Sequence, residues 1–325
     1  MTERSTKRVE VTAPDGVPEI RAGSDLVGEL LPLVELADGD VVVVTSKVVS
    51  KAEGRVVRGT RDHALAGETV RVVARRGPTT IVRNRLGLTM AAAGIDASNV
   101  AAGSVVLLPL DPDGSAREMR ASIRVRTGRN VAVVVTDTAG RAWREGQTDI
   151  AIGAAGLLVT EPYAGRTDAH GNELAVTQPA VADEIAGMAE LAQGKLSGRP
   201  FAVVRGRADL VLPAGEHGPG ASSLVRAEGG DLFGYGAREA VVRALRGDPG
   251  DRAPFGAPAD PAELAAAITD VLGLVPSASH RDGGSLTVTF PRGLARALAA
   301  LAFAHGWELL ETDSPSDARL RPARP

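Results

Sequence analysis

Two short runs of valine constrain the fold of this chain more than any other feature of its sequence. VVVVT (41–45) and VAVVVTD (131–137) are apolar and β-branched almost throughout, a composition typical of buried β-strands. Residues with hydroxyl, carboxylate and ammonium groups come at the end of both runs. Because binding residues are often carried by the segments that leave a rigid sheet, we expect the functional residues where these two strands end.

The remaining elements predict an α+β fold, because strands and helices follow one another in irregular order. Further strands are expected at 68–76, 104–110 and 201–206. Helices are expected at 24–37, 115–128 and 179–194. Ser24 would cap the first helix, and Ser115 and Glu118 would form a capping box in the second.

A segment rich in proline and glycine divides the chain near its C-terminus. GDPGDRAPFGAPADP (247–261) holds four prolines and three glycines, which is typical of a linker. We therefore expect a main domain at 1–246 and a small α+β module at 262–325. The last residues of that module, SPSDARLRPARP (314–325), are expected to form a disordered tail.

Composition excludes several classes of function. The 37 basic and 40 acidic side chains leave a net charge of −3, and only 3% of residues are aromatic, so a nucleic-acid partner is not expected. No apolar run approaches the ~20 residues of a membrane span, and MTERSTKRVE (1–10) lacks the apolar core of a signal peptide. We expect a cytoplasmic protein. The absence of cysteine excludes disulfides and thiolate chemistry.

The common nucleotide and metal motifs are missing from the sequence. It contains no GxxxxGK[ST], HExxH or GxSxG string, and its five histidines are scattered. Any metal would therefore be a hard cation held by oxygen ligands, and the absence of a metal is the alternative.

The segment 45–54 (TSKVVSKAEG) directly follows the first valine run. It holds Lys47 and Lys51, two of only four lysines in a chain that otherwise uses arginine for positive charge. A strand end that presents a hydroxyl and two ammonium groups is a plausible phosphate site. The alternative is a solvated helical turn with two exposed lysines.

The segment 93–99 (AGIDASN) places Asp96 and Asn99 three residues apart. If it is helical, both side chains share one face, where the carboxylate could hold a divalent cation and the amide could contact a ligand. Asp96 or Ser98 could equally cap a turn, which is the commoner use of such residues.

The segment 136–149 (TDTAGRAWREGQTD) is the densest polar cluster of the chain, and it follows the second valine run. Asp137 at the carboxyl end of a strand is a typical Mg²⁺ or Mn²⁺ ligand. Arg141 and Arg144 could bind carboxylate or phosphate, and Trp143 could contact a ring system. A capping aspartate within a surface salt-bridge network is the alternative.

The segment 190–195 (ELAQGK) closes the helix expected at 179–194. Gly194 is most simply a helix C-cap, and Lys195 would then complement the helix dipole.

Four sequence blocks, in order, resemble the coenzyme F420-0:L-glutamate ligase family (F420 γ-glutamyl ligases). They are TSKVVSKAEGRVV (45–57), AAAGIDASNV (91–100), DTAGRAWREGQTDIAIG (137–153) and EPYAGRTDAHGNELAVTQPAVADEIA (161–186). The resemblance extends from Gly16 to about Arg246. It implies a mixed-sheet ligase fold over this part of the chain. The short C-terminal module shows no motif of the reductase domain that some actinobacterial relatives carry.

The resemblance also implies a reaction. GTP would activate the lactyl carboxylate of coenzyme F420-0 as an acyl phosphate, and the amine of L-glutamate would attack it. The first glutamate would be α-linked and later ones γ-linked. Two divalent ions, Mn²⁺ or Mg²⁺, together with K⁺, are expected, and so is a homodimer.

The resemblance carries roles to individual residues. Residues expected at the nucleotide are Gly16, Val17, Pro18, Glu19, Ser46, Lys47, Lys51, Asn99 and Lys195. Asp96 and Asp137 would bind one metal ion, and Thr138 and Gln193 would bind a second. Catalytic contacts to the coenzyme and glutamate are expected from Arg141, Arg144, Gln147 and Asp149. Glu19 departs from the family, which usually has an apolar residue there, and Lys195 stands where many members carry an acidic or amide side chain.

Two other classes of function stay open. A non-catalytic module that binds the deazaflavin coenzyme would keep Trp143 and the arginines, but it would not need Asp96, Asp137 and the lysine pair together. A Mg²⁺-dependent phosphohydrolase would use the same aspartates on another phosphate.

Overall fold

The computed structural model describes residues 7–227, 229–231, 233–279, 285–312, 314 and 316–323. The chain forms two compact units, the first drawn from Met1–Arg71 and Ile81–Val225, the second from Val72–Thr80 and Arg226–Pro325. The mixture of helices with a mixed sheet is consistent with the expected α+β class.

Elements up to Leu174 are, in chain order, β1 (Glu10–Thr12), α1 (Leu26–Leu30), β2 (Val41–Thr45), α2 (Ser46–Ala52), β3 (Val56–Arg58), α3 (Arg61–Glu68), β4 (Thr69–Arg76), β5 (Thr79–Asn84), β6 (Thr89–Ala91), β7 (Ser104–Val106), α4 (Pro112–Thr127), β8 (Ala132–Gly140), β9 (Gln147–Ala155), β10 (Arg166–Thr167) and β11 (Glu173–Leu174). The later elements are α5 (Val181–Gln193), β12 (Phe201–Arg205), α6 (Ala237–Arg246), α7 (Pro261–Leu272), β13 (Ser277–Ser279), β14 (Ser285–Thr289), α8 (Ala295–Ala304), β15 (Trp307–Glu311) and β16 (Asp317–Pro322).

The two valine runs are neighbouring central strands of the main sheet in the first unit. Its strand order is β1-β12-β2-β8-β9, and β2 runs parallel to β8 while the other pairs are antiparallel. The register runs from Val41 opposite Ala132 to Thr45 opposite Thr136. The two strands therefore end side by side, and their prediction as buried strands is confirmed.

Helices cover both faces of this sheet, because successive valines point to opposite sides. Val42 and Val44 pack in a core with residues of α1, α2 and α4, whereas Val41 and Val43 pack in a second core with residues of α5. A strand that is apolar on both faces must be covered on both, which explains why these runs do not alternate with polar residues.

A β-bulge in the pairing of β8 with β9 decides which side chains meet at the strand end. Val135 lies opposite Gly153 but Thr136 lies opposite Ala151, so Ile152 is an extra residue. Beyond the bulge, Asp149 lies opposite Thr138 and shares its face of the sheet. Without the extra residue, Asp149 would move to the other face.

Two helices begin at residues other than the predicted ones. Asp25, not Ser24, caps α1 by accepting a hydrogen bond from the Gly28 amide at 3.0 Å. This helix ends at Leu30, far short of the predicted residue 37, because Pro32 cannot continue it. Asp111 caps α4 by accepting a hydrogen bond from the Gly114 amide, so the prediction of a capping box at Ser115 and Glu118 was wrong.

The second unit contains its own sheet, with strand order β13-β14-β16-β15, and a core that includes Trp307, Leu298 and Leu264. The division between the units falls at residue 225, well before the predicted linker at 247–261. That segment is packed into the second unit. Pro254 is buried, and the ring of Phe255 lies 5.1 Å from that of Tyr235.

The predicted disordered tail is corrected by the structure at 317–322. These residues form β16, which pairs with β14 and β15. Ala318 and Leu320 are buried and alternate with Arg319 and Arg321, the pattern of a strand with one covered face. The high arginine and proline content hid that alternation. Residue 315 and the last two tail residues lie outside the described part of the chain.

Candidate active site

A cavity of about 840 Å³ opens in the first unit at the carboxyl ends of β2 and β8. The expected site residues that line it are Val17, Pro18, Glu19, Ser46, Lys47, Lys51, Asp96, Asn99, Asp137, Thr138, Gln147, Asp149, Gln193 and Lys195. Gly16 precedes the lining residues, with φ of 87°. Side chains from distant parts of the sequence therefore meet where the two valine strands end.

Ser46 and Asp137 form the centre of the cavity floor. Thr45 and Thr136 are opposite each other in the last pair of β2 and β8, so the residues that follow them are neighbours. The Ser46 hydroxyl donates a hydrogen bond of 2.8 Å to Oδ1 of Asp137. This bond fixes the direction of the carboxylate at the strand end.

The Asp137 carboxyl group lies in an environment that opposes its ionisation. Burial, together with the negative charges of Asp149 and Asp96, raises the pKa of Asp137 to about 7, although the Ser46 hydrogen bond favours the charged form. A carboxyl group in a cavity whose pKa is strongly shifted by burial and by specific neighbouring charges is a candidate functional residue.

Lys47 and Asp96 form an ion pair on the wall beside Asp137. Nζ of Lys47 lies 2.7 Å from Oδ2 of Asp96 and donates to the Ser98 hydroxyl at 2.7 Å. Ser98 also donates hydrogen bonds to Asp96 from its amide and its hydroxyl, so the alternative in which Asp96 caps a turn is confirmed. The same carboxylate also pairs with Lys47. Burial raises the pKa of Asp96, but the hydrogen bonds from Lys47 and Ser98 outweigh it and lower the pKa below its usual value.

Lys51 and Glu19 form a second ion pair, with Nζ of Lys51 2.7 Å from Oε1 of Glu19. Lys51 is buried, which contradicts the alternative of an exposed helical turn, whereas the Glu19 side chain is 66% exposed. Glu19, the departure from the family pattern, is therefore the ionic partner of this buried lysine.

A third cluster joins β8 and β9 to the end of α5. Oδ1 of Asp149, which is 3% exposed, accepts hydrogen bonds from the Thr138 hydroxyl at 2.6 Å and from Nζ of Lys195 at 3.2 Å. Lys195 also donates to the Thr138 oxygen at 2.6 Å and lies 3.0 Å from Oε1 of Glu190. Burial lowers the pKa of Lys195, but the carboxylates of Glu190 and Asp149 outweigh it and raise that pKa.

Gln193 lies at the cavity with its amide group unused. It is 1% exposed, and neither Nε2 nor Oε1 has a hydrogen-bond partner among the described residues. Gly194, with φ of 63°, ends α5 and donates its amide to the Glu190 carbonyl, as predicted for a C-cap. A buried amide without a partner is costly, and a bound ligand would remove the cost.

Arg141 and Arg144 are not brought into the cavity. Both lie in the exposed turn between β8 and β9, where Arg141 donates to the Glu145 carbonyl at 2.6 Å. Trp143, at the top of this turn, has φ of 61° and is 87% exposed. The sequence placed these residues near the site because they are close to Asp137 along the chain, but the β8–β9 hairpin carries them beyond the cavity wall.

Sequence reasoning missed several residues of the lining, above all Arg61, Glu190 and Arg199. Arg199 forms a bidentate ion pair with Asp15, at 2.6 and 2.8 Å. Arg61, at the start of α3, has no ion pair among the residues that the structure describes. No motif marks it, since only the packing of α3 near the Ala92–Gly94 turn brings it to the cavity.

The donor set of the cavity fits a hard divalent cation. Asp96, Asp137 and Asp149 supply carboxylates, Thr138 a hydroxyl and Gln193 an unused amide, all of them oxygen ligands suited to Mg²⁺ or Mn²⁺. In the described part of the chain no three acidic or histidine side chains form a group that could hold a metal ion by themselves, so the site would be an open one. Such open sites are typical of ions that are shared with substrate phosphates.

Comparison with known proteins agrees with the site. The family model described as F420-0:Gamma-glutamyl ligase matches residues 16–64 and 62–206. A protein of Archaeoglobus fulgidus named Coenzyme F420:L-glutamate ligase is 42% identical over 219 residues, 61% of this chain and 88% of its own length. Proteins with the same name from Halobacterium salinarum and Methanothermobacter thermautotrophicus are 37% and 34% identical, over 72% and 61% of this chain and 96% and 89% of their own lengths.

Within the described residues, no helix is both long and apolar enough to cross a membrane.

The family match covers more than half of the chain and includes the lysines of α2, the Asp96 turn, the β8–β9 hairpin and the end of α5. The chain therefore belongs to the F420-0:γ-glutamyl ligase family of enzymes.

Proposed function

We propose that this protein is a GTP-dependent ligase that joins L-glutamate to coenzyme F420-0 during coenzyme F420 biosynthesis. The first unit would have the ligase fold of its family, and the enzyme would act in the cytoplasm as a homodimer. Support comes from the named relatives and from one observation in particular. Three pairs of a lysine ammonium and a carboxylate lie on the lining of one cavity at the ends of two parallel strands.

The chemistry explains why such an arrangement is useful. Attack of a carboxylate on the γ-phosphate of GTP brings two anions together, so the main tasks are charge neutralisation and in-line placement. Lys47 and Lys51 would bind the phosphates, and Ser46 and Asn99 would also contact the nucleotide. Val17, Pro18 and Glu19 would contact the rest of the nucleotide.

Asp96 and Asp137 would hold a divalent cation, Mn²⁺ or Mg²⁺, with K⁺ as an additional ion. The divalent cation would supply positive charge to the phosphate oxygens as negative charge develops on them. Ser46 would keep the Asp137 carboxylate oriented, and Lys47 would keep Asp96 ionised. Both carboxylates are thus held in position by the protein before any ligand binds.

The proposed reaction needs no nucleophilic side chain. The lactyl carboxylate of the coenzyme takes the γ-phosphoryl group, GDP leaves, and the glutamate amine then attacks the acyl carbon and releases phosphate. An α-linked amide forms first, and further glutamates would add through the γ-carboxylate. Arg61 and Gln147, which line the cavity, would contact the carboxylates of the acceptor and of glutamate.

Incubation of the protein with GTP, Mn²⁺ and coenzyme F420-0, with and without L-glutamate, tests the proposal by mass spectrometry. A ligase adds glutamyl residues to the coenzyme and releases one GDP per amide bond formed. GDP release that is indifferent to coenzyme and glutamate would indicate a phosphohydrolase instead. Coenzyme binding without turnover would indicate a binding module. Asp168→Asn, in an exposed loop, is the matched control for substitutions of Asp137.

A further inference from the structure

The Lys195 ammonium group is surrounded by oxygen atoms of the kind that bind a cation. Its Nζ lies within 2.6 to 3.2 Å of three oxygens, those of Thr138, Asp149 and Glu190. An ammonium group has three protons to donate, so these contacts use all of its capacity. The Lys195 side chain is 57% exposed, but its ammonium group contacts the strand end at Thr138 and Asp149.

The oxygens around Lys195 would need a cation if the lysine were absent. Asp149 is almost fully buried, and an uncompensated buried carboxylate is costly. Glu190 brings a second negative charge to the same ammonium. The unpartnered amide of Gln193, also buried and on the cavity lining, adds a free oxygen ligand. These groups together resemble a hard cation site whose charge is already supplied by the chain.

We propose that the Lys195 ammonium is a built-in cation that takes the place of a second divalent ion, so that this enzyme binds one divalent ion rather than two. The inference rests on the proposed function, because the remaining ion is the one assigned to Asp96 and Asp137. It makes Lys195 a positioning residue that fixes Asp149 and Thr138.

Counting bound Mn²⁺ tests the inference without any measurement of activity. The full-length protein is titrated with Mn²⁺ alone, and free Mn²⁺ is followed by its electron paramagnetic resonance signal. We expect one bound ion in the natural protein and in Lys195→Arg, which keeps the charge. We expect two in Lys195→Met, which keeps the aliphatic stem but removes the charge. Lys7→Ala, which removes a surface lysine outside the cavity, should still bind one.

A double variant identifies the ligands of the second ion. Lys195→Met combined with Gln193→Leu should return the count to one, because the free amide oxygen is lost. Two ions in the natural protein, or one in a folded Lys195→Met variant, would overturn the inference and leave the proposed function intact. No bound Mn²⁺ in any variant would overturn the inference and the nucleotide-independent ion at Asp96 and Asp137, but not the ligase reaction. If Lys195→Met fails to fold, a count of two ions in the natural protein would still overturn the inference.

Discussion

Replacement of Asp137 by asparagine should move activity and stability in opposite directions. The amide oxygen of asparagine can still accept the hydrogen bond from Ser46, so the local structure is retained. The variant lacks the negative charge that a divalent ion requires, and we expect ligation to fall about 10²-fold or more. In the metal-free protein, the same change removes a charge that burial and two other carboxylates disfavour.

The size of the stability effect follows from the shifted ionisation. The pKa of Asp137 is raised from 3.8 to about 7, and each unit corresponds to about 1.4 kcal/mol, so the upper limit is about 4 kcal/mol. A raised pKa favours the folded state of the natural protein fully at low pH, and this contribution disappears as the pH rises through about 7. The asparagine variant does not titrate. The stability advantage of this variant over the natural protein should therefore grow between about pH 4 and pH 7 and then level off.

Native-state hydrogen exchange of the β8 amides, in the presence of EDTA and corrected for intrinsic exchange rates, measures this difference in the first unit. We expect the variant to be more stable by about 1–4 kcal/mol at about pH 8 and equal to the natural protein at about pH 4. Mn²⁺ should then stabilise only the natural protein. A variant that is less stable at both pH values would refute the argument, since Asp137 would then be a structural rather than a metal-binding carboxylate.

Three further variants test the site and the fold. Arg61→Gln should raise the KM for coenzyme F420-0 or for L-glutamate by about tenfold or more, with little change in the KM for GTP, because a charge-assisted hydrogen bond to a substrate carboxylate is lost. Arg58→Gln, outside the cavity lining, is the control. If Arg61→Gln leaves both KM values unchanged, the proposed role of Arg61 is wrong. Gly153→Ala should destabilise the first unit by about 1–3 kcal/mol in urea unfolding, because its Cβ would lie 2.4 Å from the Pro112 carbonyl. Gly67→Ala, which meets nothing within 4 Å, should not destabilise it. Leu320→Ala should lower the free energy of unfolding of the second unit by about 2–5 kcal/mol and expose the buried Trp307 to solvent, which a red shift of its fluorescence would show. An unshifted spectrum and an unchanged stability would argue against β16.

The parts of the fold that could be predicted are those in which local composition decides the structure. The valine runs form buried strands because a β-branched, apolar segment has few other stable environments. The polar residues that follow them meet because β2 and β8 run parallel and in register. By contrast, the face that Asp149 presents depends on one extra residue, Ile152, and no sequence signal marks that bulge.

Three of the errors have a common physical origin, since each concerns residues whose role depends on distant packing. Arg141 and Arg144 are near Asp137 in sequence, but the length of the β8–β9 hairpin carries them away from the cavity. Arg61 lies far from every motif and reaches the cavity only through the packing of α3. The strand at 317–322 exists because it pairs with β14 and β15, and its short alternation of apolar residues with arginine is too weak a signal to predict it.

The charge balance of the cavity leads to a prediction about the order of binding. Its lining has five acidic and five basic side chains: Glu19, Asp96, Asp137, Asp149 and Glu190, against Lys47, Lys51, Arg61, Lys195 and Arg199. Above about pH 7, where Asp137 is ionised, these charges cancel, and the cavity has no excess positive charge with which to attract a polyanion such as GTP. The divalent ion must supply that charge, so we expect EDTA to weaken GTP binding about 10²-fold or more, measured by calorimetry. GTP affinity that is unchanged by EDTA would show that the lysines bind the phosphates without the ion, and the metal would then have to act in a later step.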